Sequence, residues 1–278
     1  PPSPRKYTTK LYARNMVISP TAIFATQYST KLYARNPASL RSKLSHFITS
    51  GPSSLFIASD FDRTITTGTS NSAHGVIEQQ PSLAHNDKFR NTALTLYDKY
   101  FPMEIDPALT IEQKLPHMQE WYKLNHQNMI DNAGLTKSSI LDVAISPMVS
   151  FRHDAIKTIR YLEAHSTPLV VLSAGLADVI AKIFTEENLT ATEIISNNMI
   201  FDPTPPHKLI DFSSSLLHMY NKNLTMAALE STKELISIRP NCLLLGDGLG
   251  DASMSDHVTS PDTTIKIGFL NNDFDKDI

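Results

Sequence analysis

Two rhythms of hydrophobic and polar positions run along the chain. Short apolar runs at residues 55–58, 169–172, 242–245 and 264–270 have strand length, and the first three have no polar residue on either face. That is the pattern of strands buried on both sides of a sheet. A shorter apolar piece lies at 194–195. Between these runs, apolar residues recur every three or four positions, which predicts helices over 91–100, 111–130, 138–144, 154–165 and 177–186, with 216–230 helical in part. Residues 66–72 form a small polar linker. The stretch 102–107, with proline at both ends, is expected to be extended, and 202–207 is a polar, proline-rich excursion.

Strands alternating with helices give an α/β fold, a doubly wound and mostly parallel sheet with helices on both faces. The helices at 91–130 stand directly behind the first strand and contain no core-strand pattern. They are expected to form a helical cap inserted after that strand, over residues 70–149, with 51–69 and 150–278 as the core. A cap in that position can fold over a ligand held at a strand end.

Composition narrows this only in places. With 41% hydrophobic and 19% charged residues, the 278-residue chain can bury a sizeable core. A net charge of −3 gives no reason to expect a nucleic-acid polymer as partner. No apolar stretch approaches the ~20 residues that span a bilayer, so no membrane partner is expected. The single cysteine, Cys242, excludes an internal disulfide and a thiolate metal cluster, and its apolar run marks it as a buried structural thiol. Residues 1–50 are basic, rich in Ser and Thr, and free of Asp and Glu. They also repeat a nine-residue segment, Tyr7 to Asn15 returning as Tyr28 to Asn36. This extension is expected to be disordered or a targeting segment, the second option implying mitochondria rather than the cytoplasm.

The chemistry lies where the apolar runs stop. The first ends in Ser59-Asp60-Phe61-Asp62-Arg63-Thr64, the second in Ser173-Ala174-Gly175, and the third in Gly246-Asp247-Gly248-Leu249-Gly250-Asp251. Ligands of open α/β sheets bind outside the carboxyl ends of parallel strands, so these groups can converge. A D-x-D-x-T pattern alone arises by chance in roughly one chain of this length in twenty, so convergence carries the weight. Gathered carboxylates suit a hard cation such as Mg²⁺, and Ser173 with the following amides, expected at a helix start, suits a phosphate oxygen. The glycines at 246, 248 and 250 lack dinucleotide spacing. The residues after Asp60 lack the glycine and glutamate of a calcium loop, and Asp273-Phe-Asp275 reads as a solvated tail.

Asp60-Phe61-Asp62-Arg63-Thr64, Ser173, a later lysine and Gly246-Asp247 to Gly250-Asp251 resemble, in order, the four signatures of the haloacid dehalogenase superfamily of phosphohydrolases. Further stretches resemble the type III cytosolic 5′-nucleotidases, also called pyrimidine 5′-nucleotidases. These are Phe101-Pro-Met-Glu104-Ile-Asp106-Pro107, the segment from Lys114 through Trp121-Tyr122, Ser173 to Val179, Ser196 to Met199, Asn221-Lys222 and Ile265 to Asn271. The resemblance covers roughly residues 55–275. It implies a Mg²⁺-dependent hydrolysis of nucleoside 5′-monophosphates, pyrimidine or 7-methylguanosine, with a phosphoserine phosphatase-like phosphomonoesterase or a catalytically impaired nucleotide-binding relative as the alternatives; a cytoplasmic monomer is expected. The resemblance also implies Asp60 as nucleophile, Asp62 as acid and base, and Lys222 (with Lys208 as fallback) neutralising the phosphoryl group. Asp60, the backbone carbonyl of Asp62, and Asp247 would hold the metal, with Asp251 beside it. Ser173 and Ala174 would meet the phosphate, and Glu104, Trp121 and Asn125 the base. Trp121 has a plainer reading as cap core. The chain departs from the family pattern at Asn125 and Gly248, where relatives carry serine, and at Phe212-Ser-Ser-Ser215, where they are basic.

Overall fold

The computed structural model describes residues 10–12, 32–222, 234, 236–256 and 263–271. In chain order the strands are β1 (Lys10–Tyr12), β2 (Leu32–Tyr33), β3 (Leu55–Ser59), β4 (Leu169–Leu176), β5 (Glu193–Asn197), β6 (Met199–Phe201), β7 (Leu209–Phe212), β8 (Asn241–Gly246) and β9 (Thr264–Leu270). The helices are α1 (Pro37–Ser50), α2 (Ala73–Glu78), α3 (Asp87–Ile105), α4 (Ile111–Asn128), α5 (Lys137–Leu141), α6 (Ala155–Ala164) and α7 (Ala177–Glu186).

Seven strands form one sheet in the order β2-β1-β9-β8-β3-β4-β5. From β9 to β5 every neighbouring pair is parallel, whereas β1 runs antiparallel to β9. The parallel α/β reading therefore holds. β3 is central, with the chain passing to β4 on one side and returning to β8 on the other, which makes its carboxyl end a topological switch point. Burial explains the unbroken apolar runs. Ile57, Leu169 and Val171 join the cluster under α7, with Val179, Ile180, Ile183 and Phe184. Phe56, Ala58, Val170, Leu172, Cys242 and Leu244 form the cluster on the opposite face, with Leu217, Ile236 and Met254. Each strand residue is covered whichever way its side chain points. Cys242 is buried and its thiol is pushed up to about 12 by that burial, so it is a core residue.

Several elements differ from the sequence reading. The extended stretch expected at 102–107 is helical through Ile105, with Pro102 inside α3. Near the end of a helix, a missing N–H costs one hydrogen bond and leaves the chain free to finish the turn. α4 runs into a π-helical turn at Met129–Ala133, ended by left-handed Gly134. The excursion at 202–207 is the connection of an antiparallel hairpin, β6–β7, because the flanking Met199, Leu209 and Phe212 are buried. Within residues 70–149, α2 packs on β4 and α7, and α5 packs on α7. α3 and α4 pack on each other, and Phe89 and Met129 at their near ends join the core cluster. Residues 37–50, within the expected extension, form α1. Asn36 caps that helix by accepting from Ser39 N–H, and Lys43 and His46 bond Thr264 O and Asn241 Oδ1. The tail with Asp273 and Asp275, and most of the predicted 216–230 helix, lie outside the described residues; 216–221 is non-helical. Among the described residues no helix is long and apolar enough to cross a membrane.

Candidate active site

β3 ends at Ser59, and Asp60 continues its ladder by donating N–H to Leu245 O at 3.0 Å. The chain then turns sharply. The amides of Thr64, Ile65 and Thr66 all point at Phe61 O, and Arg63 takes a left-handed φ of 61°. That turn separates the two carboxylates. Asp60 is buried, with Oδ1 accepting from Lys222 Nζ at 2.6 Å. Asp62 faces α2, and its Oδ1 accepts from Ala73 N–H at 2.9 Å. Burial raises Asp62 to about 6, opposed by the Ala73 amide and by the charges of Lys222 and Arg63.

β8 brings the second acidic arm to the same edge. Asp251 is buried. Its Oδ2 accepts from the amides of Asp247 and Gly248, and its Oδ1 lies 2.7 Å from Lys222 Nζ. A Cβ on Gly250 would stand 2.0 Å from Met219 O, so only glycine lets this turn approach the segment that leads to Lys222. Carboxylate oxygens of Asp60, Asp247 and Asp251 lie within 4.8 Å of one another. Burial and the neighbouring acids raise Asp60 well above the carboxylate range against the pull of Lys222. Burial and Asp251 raise Asp247 to about 7, against Lys222, Arg63 and an Asn271 hydrogen bond. Burial would lower Lys222, yet Asp251 and Asp60 hold it above its ordinary value.

Ser173 is placed differently from the sequence reading. It lies inside β4, four residues before α7 begins, where the pairing with β5 slips between Leu172 and Leu176. Ser173 Oγ accepts from Gly175 N–H at 3.0 Å. A Cβ on Gly175 would fall 2.8 Å from Ala73 Cβ and 3.2 Å from Asp62 Oδ2, so this bulge touches the Asp62 carboxylate directly. Asn197 fixes it. Its Nδ2 donates to Ala174 O at 2.9 Å, Gly175 O at 3.1 Å and Leu217 O at 2.9 Å, while its Oδ1 accepts from Leu217 N–H. Thus Asn197 ties Ala174 and Gly175, the residues that follow Ser173, to the loop that delivers Lys222. Lys208, the alternative lysine, is exposed and bridges to Thr136 beside the hairpin, so it does not reach the site.

α3 and α4 face this edge. Burial raises Glu104, against the charges of Arg63 and Lys114. Tyr122 lies within the fields of Glu104, Lys222, Asp62 and Asp60, and burial raises its hydroxyl. The Tyr122 ring meets His74 edge-on at 5.8 Å and His218 at 6.5 Å. Trp121 stacks on Tyr100 at 6.0 Å and meets Tyr97 and Tyr122 edge-on, with a buried Nε1 that has no hydrogen-bond partner among the described residues. Asn125 is half-buried one helical turn further on.

The profile of the family described as Pyrimidine 5′-nucleotidase (UMPH-1) matches residues 62–278. The chain belongs to this family. It is a phosphoric monoester hydrolase. Among 5′-nucleotidase relatives, the 7-methylguanosine phosphate-specific 5′-nucleotidase B of Xenopus laevis is 33% identical over 243 residues, 85% of this chain and 82% of that protein. The putative cytosolic 5′-nucleotidase 3 of Caenorhabditis elegans is 32% identical over 255 residues, 86% of this chain and 65% of its own length. The crystal structure of cytosolic 5′-nucleotidase IIIB bound to cytidine superposes with a TM-score of 0.69 at 26% identity, covering 84% of this chain and 79% of that one.

For a 5′-nucleotidase, the sequence left several supporting residues without a role. Asn197, His74, Tyr122, Arg152 and Asn271 all touch the site or its supports. Asn197 and Asn271 stand in stretches that resemble the family, but nothing in their spacing says what they bond. A separate cavity of about 240 Å³ opens at the opposite edge of the sheet, by Thr167, Pro168, Thr192 and Arg239, and contains none of the site carboxylates. The chemistry, rather than cavity size, marks the candidate site.

Proposed function

We propose that the protein hydrolyses nucleoside 5′-monophosphates, with pyrimidine or 7-methylguanosine nucleotides as substrates, through an aspartyl-phosphate on Asp60 and with Mg²⁺ bound at the acidic edge. The observation that carries this reading is the convergence of Asp60, Asp247, Asp251 and Lys222 at the end of the central strand.

The donor set fits a hard divalent cation. Three formal negative charges face the single ammonium of Lys222, and carboxylates less than 5 Å apart repel by about 3 kcal/mol per pair or more at an effective dielectric near 20. Oxygen-only ligands of that charge match Mg²⁺. Asp60, Asp247 and the Asp62 carbonyl would hold it, with Asp251 alongside. When bound it would stabilise negative charge on the transferring phosphoryl group.

The chain's own groups supply the rest. An Asp60 carboxylate oxygen attacks phosphorus, forming an aspartyl-phosphate as the P–O5′ bond breaks. Asp62 gives its proton to the departing O5′. It then takes a proton from the water that attacks phosphorus, which releases phosphate and restores Asp60. A carboxyl raised to about 6 is suited to both duties near neutral pH. The Ala73 amide occupies Oδ1 and leaves Oδ2 for the proton. Lys222 passes from its carboxylate partners towards the phosphoryl oxygens. Ser173, whose Oγ already accepts from Gly175, keeps its own O–H to donate to them. α3 and α4 act as the cap that selects the base, with Glu104, Trp121 and Asn125 on its inner side. We place this reaction in the cytoplasm, carried out by a monomer.

Phosphate release with Mg²⁺ from CMP, UMP, 7-methylguanosine monophosphate and phosphoserine tests the proposal. Turnover of at least one nucleotide well above phosphoserine is expected, abolished in Asp60→Asn. Preference for phosphoserine, or no turnover of any of the four, would overturn it.

A further inference from the structure

We propose that Asn271 is the positioning residue of the acidic edge, joining the Asp247 carboxylate to the turn that follows Asp62, with Arg152 holding it in place. Asn271 directly follows β9, the parallel neighbour of β8, so it emerges at the same sheet edge as Asp247. Its Nδ2 donates to Asp247 Oδ2 at 3.0 Å and to Arg63 O at 3.0 Å, and its Oδ1 accepts from Arg152 Nη2 at 2.6 Å. The amide orientation follows from chemistry. A guanidinium only donates, so the carbonyl oxygen must face Arg152 and the NH₂ must face the two acceptors.

Arg152 is itself fixed. Its Nε donates to Thr64 O at 2.7 Å, its Nη2 also donates to Arg63 O, and its guanidinium lies 4.3 Å from the centre of the Phe269 ring. Gly68 leaves the room this requires, since a Cβ there would stand 2.7 Å from Asn271 Cβ and Oδ1. The same network grips Arg63. Its left-handed φ of 61° is an unfavourable conformation for a residue with a side chain. The conformation is held by Thr66 Oγ1 accepting from Arg63 N–H and by Arg152 and Asn271 donating to its carbonyl. One side chain therefore sets two features at once, the rotation of Asp247 and the backbone that presents the Asp62 carbonyl. Without the Nδ2 donor, Asp247 is free to swing away from Asp60 and Asp251. Loss of a hydrogen bond that orients a metal-binding group typically weakens binding ~10–100-fold.

This inference rests on the Mg²⁺ reading proposed above, and calorimetric titration with MgCl₂ alone separates the two. Wild type is expected to take up one Mg²⁺ per chain. Asn271→Ala and the near-isosteric Asn271→Leu are expected to bind it at least ~10-fold more weakly, with thermal midpoints showing which variants are folded. In turnover, their kcat should recover towards the wild-type value as Mg²⁺ is raised to saturation, which a merely structural defect would not allow. A folded variant that binds Mg²⁺ within twofold of wild type overturns the role of Asn271 and leaves the metal reading intact. No uptake by wild type overturns both.

Discussion

Asp60 and Asp62 are two residues apart and meet different partners. Asp60 is held against Lys222, while Asp62 is turned onto the Ala73 amide by the left-handed residue between them and α2. This division predicts how they fail. Asp62→Asn keeps the Ala73 contact but loses the transferable proton. Turnover of a nucleoside monophosphate, whose alkoxide leaves poorly, should fall ~10²–10⁴-fold. p-Nitrophenyl phosphate, whose leaving group needs no proton, should lose far less in its release step. Pre-steady-state bursts of nucleoside and of p-nitrophenolate, which report the release step alone, check this, and equal losses would remove Asp62 from acid catalysis. The pair was legible in the sequence because two carboxylates at fixed spacing beyond an apolar run must emerge at one strand end. The placement of Ser173 was not, because a register slip in β4 is fixed by Asn197 from a different strand.

α3 and α4 show the limits of periodicity. Spacing identified both helices, yet proline at 102 and 107 suggested an early stop to α3. Continuing to Ile105 keeps Glu104 on a helix, where Lys114 Nζ of α4 donates to Glu104 O at 2.7 Å and pins the two helices together. This packing fixes the backbone at Glu104. Glu104→Ala should change the ratio of kcat/KM between nucleotides by ~10-fold or more, as expected when a buried polar partner is lost, and leave hydrolysis of ribose 5-phosphate within a few-fold of wild type. Parallel losses on both substrates would deny Glu104 a contact with the base. α2 resembled part of the same insertion in sequence. Its Val76 and Ile77 instead complete the core under α7, which makes it the rigid support for the Ala73 amide.

Across the whole molecule, the helical layer meets the core along a column of rings, with His126 of α4 between Phe212 of β7, at 3.9 Å, and His74 of α2, at 5.7 Å. Nε2 of both histidines is buried without a hydrogen-bond partner among the described residues. Burial lowers His126 to about 4, and burial with His126 lowers His74 to about 3, from 6.5. Both bind protons more weakly when folded, so between pH 6.5 and 4 the unfolded chain holds more protons. This contribution to stability is complete above pH 6.5 and is lost on acidification. Asp60, Asp62, Asp247 and Glu104, raised in the metal-free protein, act in the opposite sense. A variant comparison isolates the histidine. In metal-free urea unfolding, His126→Phe should reduce the stability lost between pH 7.5 and 5.0 by about 1–2 kcal/mol; an unchanged loss would show that this ring does not titrate across unfolding. The sequence by itself determined the parallel α/β core and the three acidic or hydroxyl strand ends, because alternation and burial act over neighbouring residues and strand polarity sends those ends to one edge. Only the tertiary structure decided that Lys222 rather than Lys208 meets Asp60, that α2 supports Asp62, and that Asn271 bonds Asp247. Those contacts join residues 162, 11 and 24 positions apart, and pairings at that range are set by packing and hydrogen bonding across elements.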